Sequence, residues 1–436
     1  MKILIVSRLF YPSNRIGAVR PSNFAKYLAI FGHDITLITD EIEIKGEKLG
    51  EDFKQLNIKR ISNSNWVKKI KNKNDDRVLQ NRVEVKSDDK KKKSIFKLIK
   101  SFLLMHLSKV FFLIIEFNWS NNVIKDLKKA NKNYDLVFSS FGPLGSFLVG
   151  YNLYKLKIAT HWISDFRDNM TSENNLSWLN ALYMYYERCA LKYASRLLFV
   201  SEGQKKMFIN KHKKGNFSNI HVLYNGFENE PNSTIITTNN KLKITYTGQL
   251  YSGKRDFKII FHALDDLLNE NKINSKHIQI EYAGPHSSEL QNQAKPFSNI
   301  TEVINDHGML TREKALLLQQ ESDILVALTW NTKKEQGVLT GKFLEYLQQY
   351  KPIIAITSGN LPNGELTVLT RKMNMGLACE YVKYSEDYEI LKIYILKQYQ
   401  LKQNHKKVDF KPNFDKVNKF HYENISKELN LIISSF

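Results

Sequence analysis

Cysteine is nearly absent. Cys189 and Cys379 stand alone and far apart in 436 residues, which excludes a disulfide framework and zinc-ligand spacing and fits a reducing cytosol. No repeat with a period of about 20 to 50 residues is visible, so the chain is not a stacked-repeat array. No apolar run reaches the roughly 20 mostly uninterrupted residues of a transmembrane helix. The opening Met1-Lys-Ile-Leu-Ile-Val-Ser-Arg8 is too short for a signal-peptide core and reads as a buried strand, so the expected location is the cytoplasm. Acidic residues are the scarcer charge, 44 against 65 Lys and Arg, for a formal charge of +21. That balance suits an anionic membrane or a nucleic acid. Basic and aromatic residues are not interleaved and no binding module is recognisable, which argues against nucleic acid.

What is present is an alternation of short β-rich apolar runs with longer helical patterns. The runs begin with Ile3-Leu-Ile-Val and Asp34-Ile-Thr-Leu-Ile-Thr, continue through Tyr134-Asp-Leu-Val-Phe-Ser-Ser and Arg196-Leu-Leu-Phe-Val-Ser, and reach His221-Val-Leu-Tyr-Asn-Gly. They predict a parallel α/β domain over residues 1–228. A polar, turn-rich segment, 229–240, reads as a linker. The alternation restarts at Leu242-Lys-Ile-Thr-Tyr-Thr-Gly and defines a second α/β domain over 241–413. From about Phe414 the tail reads as one amphipathic helix, with Val417, Phe420, Ile425, Leu429 and Ile432 apolar, packing back towards the first domain. Ligands of such sheets bind beyond the carboxyl ends of the strands, and two facing sheets create a cleft.

The richest stretch for chemistry is Gly337-Val-Leu-Thr-Gly-Lys-Phe-Leu-Glu-Tyr-Leu. Gly337 and Gly341 allow close backbone approach, and a helix start near Gly341 offers unpaired N–H groups to a diphosphate. Lys342 and Glu345 are three apart and share a face, so the ammonium reaches phosphate while the carboxylate accepts ribose hydroxyls. A surface helix with a Lys-Glu pair has the same spacing.

A basic apolar segment over about 86–118 is the second unusual stretch. Lys90 to Lys93 precede Ser94-Ile-Phe-Lys-Leu-Ile-Lys-Ser-Phe-Leu-Leu-Met-His-Leu-Ser-Lys-Val-Phe-Phe-Leu-Ile-Ile-Glu-Phe, and its polar residues recur at helical spacing. It predicts either a peripheral helix on the anionic inner face of the cell membrane or a core helix of the first domain.

With these features in place the chain resembles retaining glycosyltransferases of family 4, in a polysaccharide-assembling branch. The resemblance spans nearly the whole chain and implies an α/β GT-B fold, two Rossmann-like domains facing across a cleft. It is carried first by Ile16-Gly17-Ala-Val-Arg20, similar to the family's N-terminal glycine loop, which implies a donor-side role for Gly17 and a phosphate or acceptor contact for Arg20. Trp162-Ile-Ser-Asp-Phe-Arg-Asp168 resembles a segment before the cleft and makes Arg167 and Asp168 acceptor or sugar contacts by position, with a structural Arg-Asp pair as the alternative. Ser201-Glu-Gly-Gln204 has capping-box spacing. Tyr224-Asn-Gly-Phe227 resembles the turn ending the first domain.

Thr247-Gly248-Gln-Leu-Tyr-Ser-Gly-Lys254-Arg255 is similar to the family's diphosphate loop. Lys254 matches, while Gln249 stands where an arginine is usual, with Arg255 as the replacement cation. Glu345 matches the second glutamate of the family's Glu-x7-Glu pattern, while Gly337 occupies the first position and Glu335 lies two residues upstream. Gly284, His307 and Gly308 resemble strand ends that flank the nucleobase. The resemblance thus implies Lys254, Lys342 and Glu345 as catalytic residues, with Gly248, Arg255, Gly284, His307, Gly308, Thr340 and Gly341 on the donor. The expected substrates are a nucleotide sugar, a uridine diphosphate sugar, and a lipid-linked glycan acceptor. No Asp-x-Asp motif occurs on a strand-end loop, so neither a metal nor another cofactor is expected. The alternatives are a non-catalytic scaffold of the same fold that binds nucleotide sugar without turnover and, less favoured, a nucleotide-sugar epimerase.

Overall fold

The computed structural model describes residues 1–13, 16–41, 51–69, 95–173, 175–213, 215–228, 240–285 and 287–436. The lysine run 90–93 and the expected linker up to 239 lie outside them. The described residues fall into two compact units.

The first unit comprises Met1–Val200, His212–Val222 and Glu428–Phe436. Its described strands are β1 (Lys2–Val6), β2 (Asp34–Asp40), β3 (Asn57–Ile61), β4 (Tyr134–Phe141), β5 (Ala159–Phe166), β6 (Arg196–Phe199) and β7 (Ile220–Val222). They form one parallel sheet in the order β3-β2-β1-β4-β5-β6-β7. The polar strands β3 and β5 have no apolar run of their own. β3 is an edge strand paired with β2 alone, and β5 is buried from Trp162 to Phe166 between β4 and β6.

The second unit comprises Ser201–Lys211 and Leu223–Lys427. Its strands are β8 (Leu242–Thr247), β9 (Ile278–Ala283), β10 (Ile304–Asp306), β11 (Ile324–Trp330), β12 (Ile353–Ser358) and β13 (Gly376–Glu380). They are parallel, in the order β10-β9-β8-β11-β12-β13. Every residue of β11 is buried, as a parallel sheet covered on both faces requires. The two faces carry separate cores. Ile324, Val326 and Leu328 join the core under helices Lys258–Asn269 and Tyr384–His405, while Leu325 and Ala327 join that under Gly341–Gln349 and Glu365–Met373.

The tail departs from the expected single helix. It breaks into Phe414–Asn418 and Tyr422–Ile433 because the chain between them pairs with Phe227, whose N–H donates to the Phe420 carbonyl at 3.0 Å and whose carbonyl accepts from Tyr422 at 2.9 Å. Beyond Lys427 it belongs to the first unit, where His33 meets Asn430 at 2.7 Å and His161 stacks on Phe436.

Among the described buried charges of the second unit some are held by ion pairs and others by hydrogen bonds, as Glu380 is by Gly364 N at 2.8 Å and Asp387 by Glu380 N at 2.6 Å. Lys402 and Asp323 make a fully enclosed pair at 2.8 Å. Lys351 donates only to the Ser322 carbonyl, and burial pushes its ammonium down to about 8 from 10.5. Because the folded value is the lower one, the unfolded chain holds the extra proton between these values and stability rises with pH above 8. Urea denaturation from pH 8 to 9.5 is expected to show a gain of up to about 2 kcal/mol in the wild type relative to Lys351→Met, in which this slope is absent. Equal slopes in the two proteins would contradict the assignment.

Candidate functional site

In the second sheet the strand order reverses between β8 and β11, and the carboxyl ends of these strands open a crevice there. Three chain segments meet at it. One is the β8 loop from Gly248 to Arg255, another the β11 loop from Asn331 into helix Gly341–Gln349, and the third the end of β12. Ser358, closing β12, donates its hydroxyl to the Lys254 carbonyl at 2.5 Å and ties the first segment to the third.

Lys254 is half-exposed. Its ammonium lies 3.1 Å from Glu335 Oε2 and 4.8 Å from the centre of the Trp330 ring, and the indole N–H donates to the same Glu335 oxygen at 2.7 Å. A cation is therefore held at the mouth of the crevice by one carboxylate and one aromatic face. In the sequence Glu335 only stands out of register with a family pattern, and opposite charges in two separated loops are too common to signal a contact.

Helix Gly341–Gln349 starts directly at the crevice. Thr340 is its N-cap, with the side-chain oxygen accepting from Phe343 N at 3.3 Å, and the first-turn N–H groups of Gly341 and Lys342 have no intrahelical partner. Lys342 reaches Glu345 at 2.9 Å across one turn, so the expected pair forms. Glu345 also accepts from Gln319 Nε2 at 2.5 Å, and the same amide nitrogen lies 2.8 Å from Thr247 Oγ1. Thr247 in turn donates its backbone N–H to the buried Tyr346 hydroxyl at 3.0 Å, whose ionisation is pushed up by burial. Gln319 therefore links the end of β8 to the carboxylate on the helix. It was not found from sequence, because a glutamine on helix Arg312–Gln320 looks like any solvated amide.

The strand ends on the other side of β8 also converge. Gly248 N donates to the Ala283 carbonyl and Gly284 N to that of Gly308, both at 2.8 Å, so the expected glycines form one ladder of strand-end turns. His307 shares a 2.6 Å hydrogen bond with the buried Glu281.

Other expected residues turn inward. Arg255, offered as the replacement for the cation missing at Gln249, is only 8% exposed and donates to the Gln249 carbonyl at 2.9 Å and the Tyr246 hydroxyl at 3.2 Å. Its register points it under the loop. Gly337, read as a point of ligand approach, instead packs against the start of helix Glu202–His212. It holds φ +71°, and a Cβ there would lie 2.3 Å from Ser201 Oγ and 2.6 Å from Gln204 N. Ser201 itself caps that helix through Gln204 N at 3.2 Å.

In the first unit the same correction applies to Arg20. It is 1% exposed and grips Asp165 through Nε and Nη2, at 2.8 Å for the shorter contact, with Ser140 donating to the same carboxylate. A buried guanidinium needs such a partner, so this one is a staple and not an open contact. Arg167 donates to the carbonyls of Phe141, Gly142 and Gly17, and a Cβ on Gly17 would meet Arg167 Nη1 at 2.6 Å. Gly17 thus makes room for an arginine of its own chain. Asp168 is exposed beside Gly142. An open depression of 520 Å³ lined by Met1, Lys2, Asp34 and Tyr134 lies at the amino ends of the first sheet, the wrong edge for such a fold. Among the described residues no group of three or more His, Cys, Asp or Glu is placed to hold a metal ion.

No family model and no curated protein matches the chain. Solved structures do. A crystal structure of Anabaena HepE in complex with UDP and glucose matches over 100% of both chains at 13% identity with a TM-score of 0.56. Sucrose-phosphate synthase from Thermosynechococcus elongatus matches over 100% of this chain and 98% of its own, at 12% identity and a TM-score of 0.60. WaaG, a glycosyltransferase involved in lipopolysaccharide biosynthesis, matches over 99% of each chain at 11% identity and 0.53. The fold is GT-B. At these identities the likeness speaks for architecture, and the six-stranded unit with its β8/β11 crevice is one of the two Rossmann-like domains of that fold.

Gly337→Ala is expected to lower stability by about 1–3 kcal/mol in urea denaturation, through the positive φ and the contact with Ser201. A neutral result would show that the packing against helix Glu202–His212 is dispensable.

Proposed function

We propose that the chain is a metal-independent, retaining glycosyltransferase of family 4, in a polysaccharide-assembling branch. It moves a hexosyl or N-acetylhexosaminyl group from a uridine diphosphate sugar to a lipid-linked or growing glycan acceptor in bacterial surface polysaccharide biosynthesis. The observation that carries this reading is the joining of the helix start after Thr340, Lys342 and Glu345 to the glycine turn of β8 through Gln319 and Thr247. UDP is chosen as the base-bearing group because HepE was solved with UDP and with UDP-glucose.

In this mechanism the diphosphate sits on the N–H groups of Gly341 and Lys342, with Lys342 and Lys254 as its cations. Lys254 exchanges Glu335 for phosphate when the donor enters. Glu345, freed from Lys342 and oriented by Gln319, accepts the ribose hydroxyls. As the bond from the sugar's anomeric carbon to the diphosphate oxygen breaks, that oxygen takes the proton of the acceptor hydroxyl, and the hydroxyl oxygen bonds to the same face of the sugar. The two lysines neutralise the charge left on the diphosphate, which needs no divalent cation.

A non-catalytic GT-B protein is the second reading, favoured by one observation. With Gln249 in place of a cation and Arg255 spent on the loop's own carbonyl, Lys254 alone remains at the diphosphate end of the β8 loop.

A thermal-shift comparison of uridine, guanosine and adenosine diphosphates tests the donor site. UDP at 100 times its dissociation constant is expected to add about 2.7 kcal/mol, and Glu345→Ala to abolish the shift. Lys254→Ala is expected to slow sugar transfer or donor hydrolysis by about 10²-fold or more while excess EDTA leaves the wild-type rate unchanged. Binding without any turnover would favour the non-catalytic reading, and no binding of any diphosphate would overturn both.

A further inference from the structure

Helix Ile95–Ala130 changes character along its length. From Glu116 onward it is bolted to the first unit. Glu116 pairs with Arg8 and accepts from Gly145 N at 2.7 Å, the Trp119 indole donates to the Ile61 carbonyl at 2.7 Å, and Asn122 donates to the Ser62 carbonyl at 3.0 Å. The outward face from Phe102 to Phe117 is different. Leu103, Leu107, Val110, Ile114 and Phe117, spaced by four, three, four and three, make one stripe along the helix, and each is 37–57% exposed. Phe102 and Leu104, flanking the stripe, are more than half exposed. An exposed apolar surface of this size does not persist in water without an occupant.

The stripe has the spacing of a helix that pairs with another helix, so a second copy of the chain and a lipid surface must be told apart. Charge separates them. Lys90 to Lys93, Lys97 and Lys100 precede the stripe in sequence, and the chain as a whole carries +21, so two copies brought together along this segment repel. An anionic leaflet attracts the same lysines. Length and composition alone would allow this helix to cross a membrane. Its apolar stretch is flanked in the sequence by Lys97 and Lys100 on one side and by the packed Glu116 on the other, which favours the interface over a crossing.

We infer that the Phe102–Phe117 part of this helix is a membrane foot that lies in the interface of an anionic bilayer and docks the first unit on it. The inference does not rest on the donor-site reading, and it corrects the alternative of an ordinary core helix: only the second half of the helix is core. The bolts of that second half give the foot a second role. Glu116 is tied to Arg8, in the loop that follows β1, so one continuous helix connects the lipid surface to the carboxyl edge of the first sheet. An acceptor that is itself anchored in lipid would be presented at that edge.

Co-sedimentation of the full chain with vesicles of phosphatidylglycerol and phosphatidylcholine, against pure phosphatidylcholine, tests this at low salt. Binding to the anionic vesicles only is expected, with the double variant Leu107→Asp, Val110→Asp at least tenfold weaker. Both positions are exposed, and an unchanged UDP-induced thermal shift would show the variant folded. If UDP shifts neither protein, the unperturbed melting temperature serves as the folding control, and Glu345→Ala is expected to bind vesicles as the wild type does. Absence of binding to anionic vesicles overturns the inference. So does binding that the double variant retains, which would assign it to surface lysines alone. A dimer in light scattering that the double variant loses would assign the stripe to a second copy.

Discussion

A parallel sheet covered by helices on both faces leaves polar chemistry only one place to go, the ends of its strands. In the second unit that constraint acts where the order turns from β8 to β11. There the strand ends are not shielded by a neighbouring crossover, and the glycine turn after Thr247, the start of helix Gly341–Gln349 and Lys254 all come to one crevice. The site is then held by a short relay. Tyr346 fixes the backbone of Thr247, Gln319 spans Thr247 and Glu345, and Lys342 closes on Glu345. Each member is positioned by an element whose other face is core, so the geometry of the polar groups is set by apolar packing beneath them.

The same constraint explains why several arginines do not do what their positions in the sequence suggest. A guanidinium that falls behind a strand end must be paired or it costs several kcal/mol. Arg20 takes Asp165, Arg167 takes three carbonyls, Arg255 takes a carbonyl and a phenol, and Arg8 takes Asp40 and Glu116. These are the staples of the loops that surround the two strand-end edges. At the crevice the flexible stems of Lys254 and Lys342 keep their charges nearer solvent than the guanidinium of Arg255.

Glycines divide in the same way. Gly248, Gly284 and Gly308 lie in the strand-end ladder expected of them, whereas Gly17 and Gly337 make room for the chain's own Arg167 and Ser201. A glycine in a sequence announces that something comes close to the backbone. It does not say whether that something is a ligand or a side chain, because the partner of Gly17 lies 150 residues away and is chosen by the sheet order.

Local sequence was enough for what depends on local forces: apolar runs for the buried strands, the helix start near Gly341, the one-turn pair of Lys342 and Glu345, and a basic apolar helix before Trp119. Each rests on contacts within a few residues or on the burial of one continuous run. Only the tertiary structure decided which charges meet. Lys254 with Glu335, Gln319 with Glu345, Arg20 with Asp165, and the change of helix Ile95–Ala130 from exposed to bolted at Glu116 all join residues far apart in the chain, and such pairings follow from strand order and packing, which no local pattern encodes.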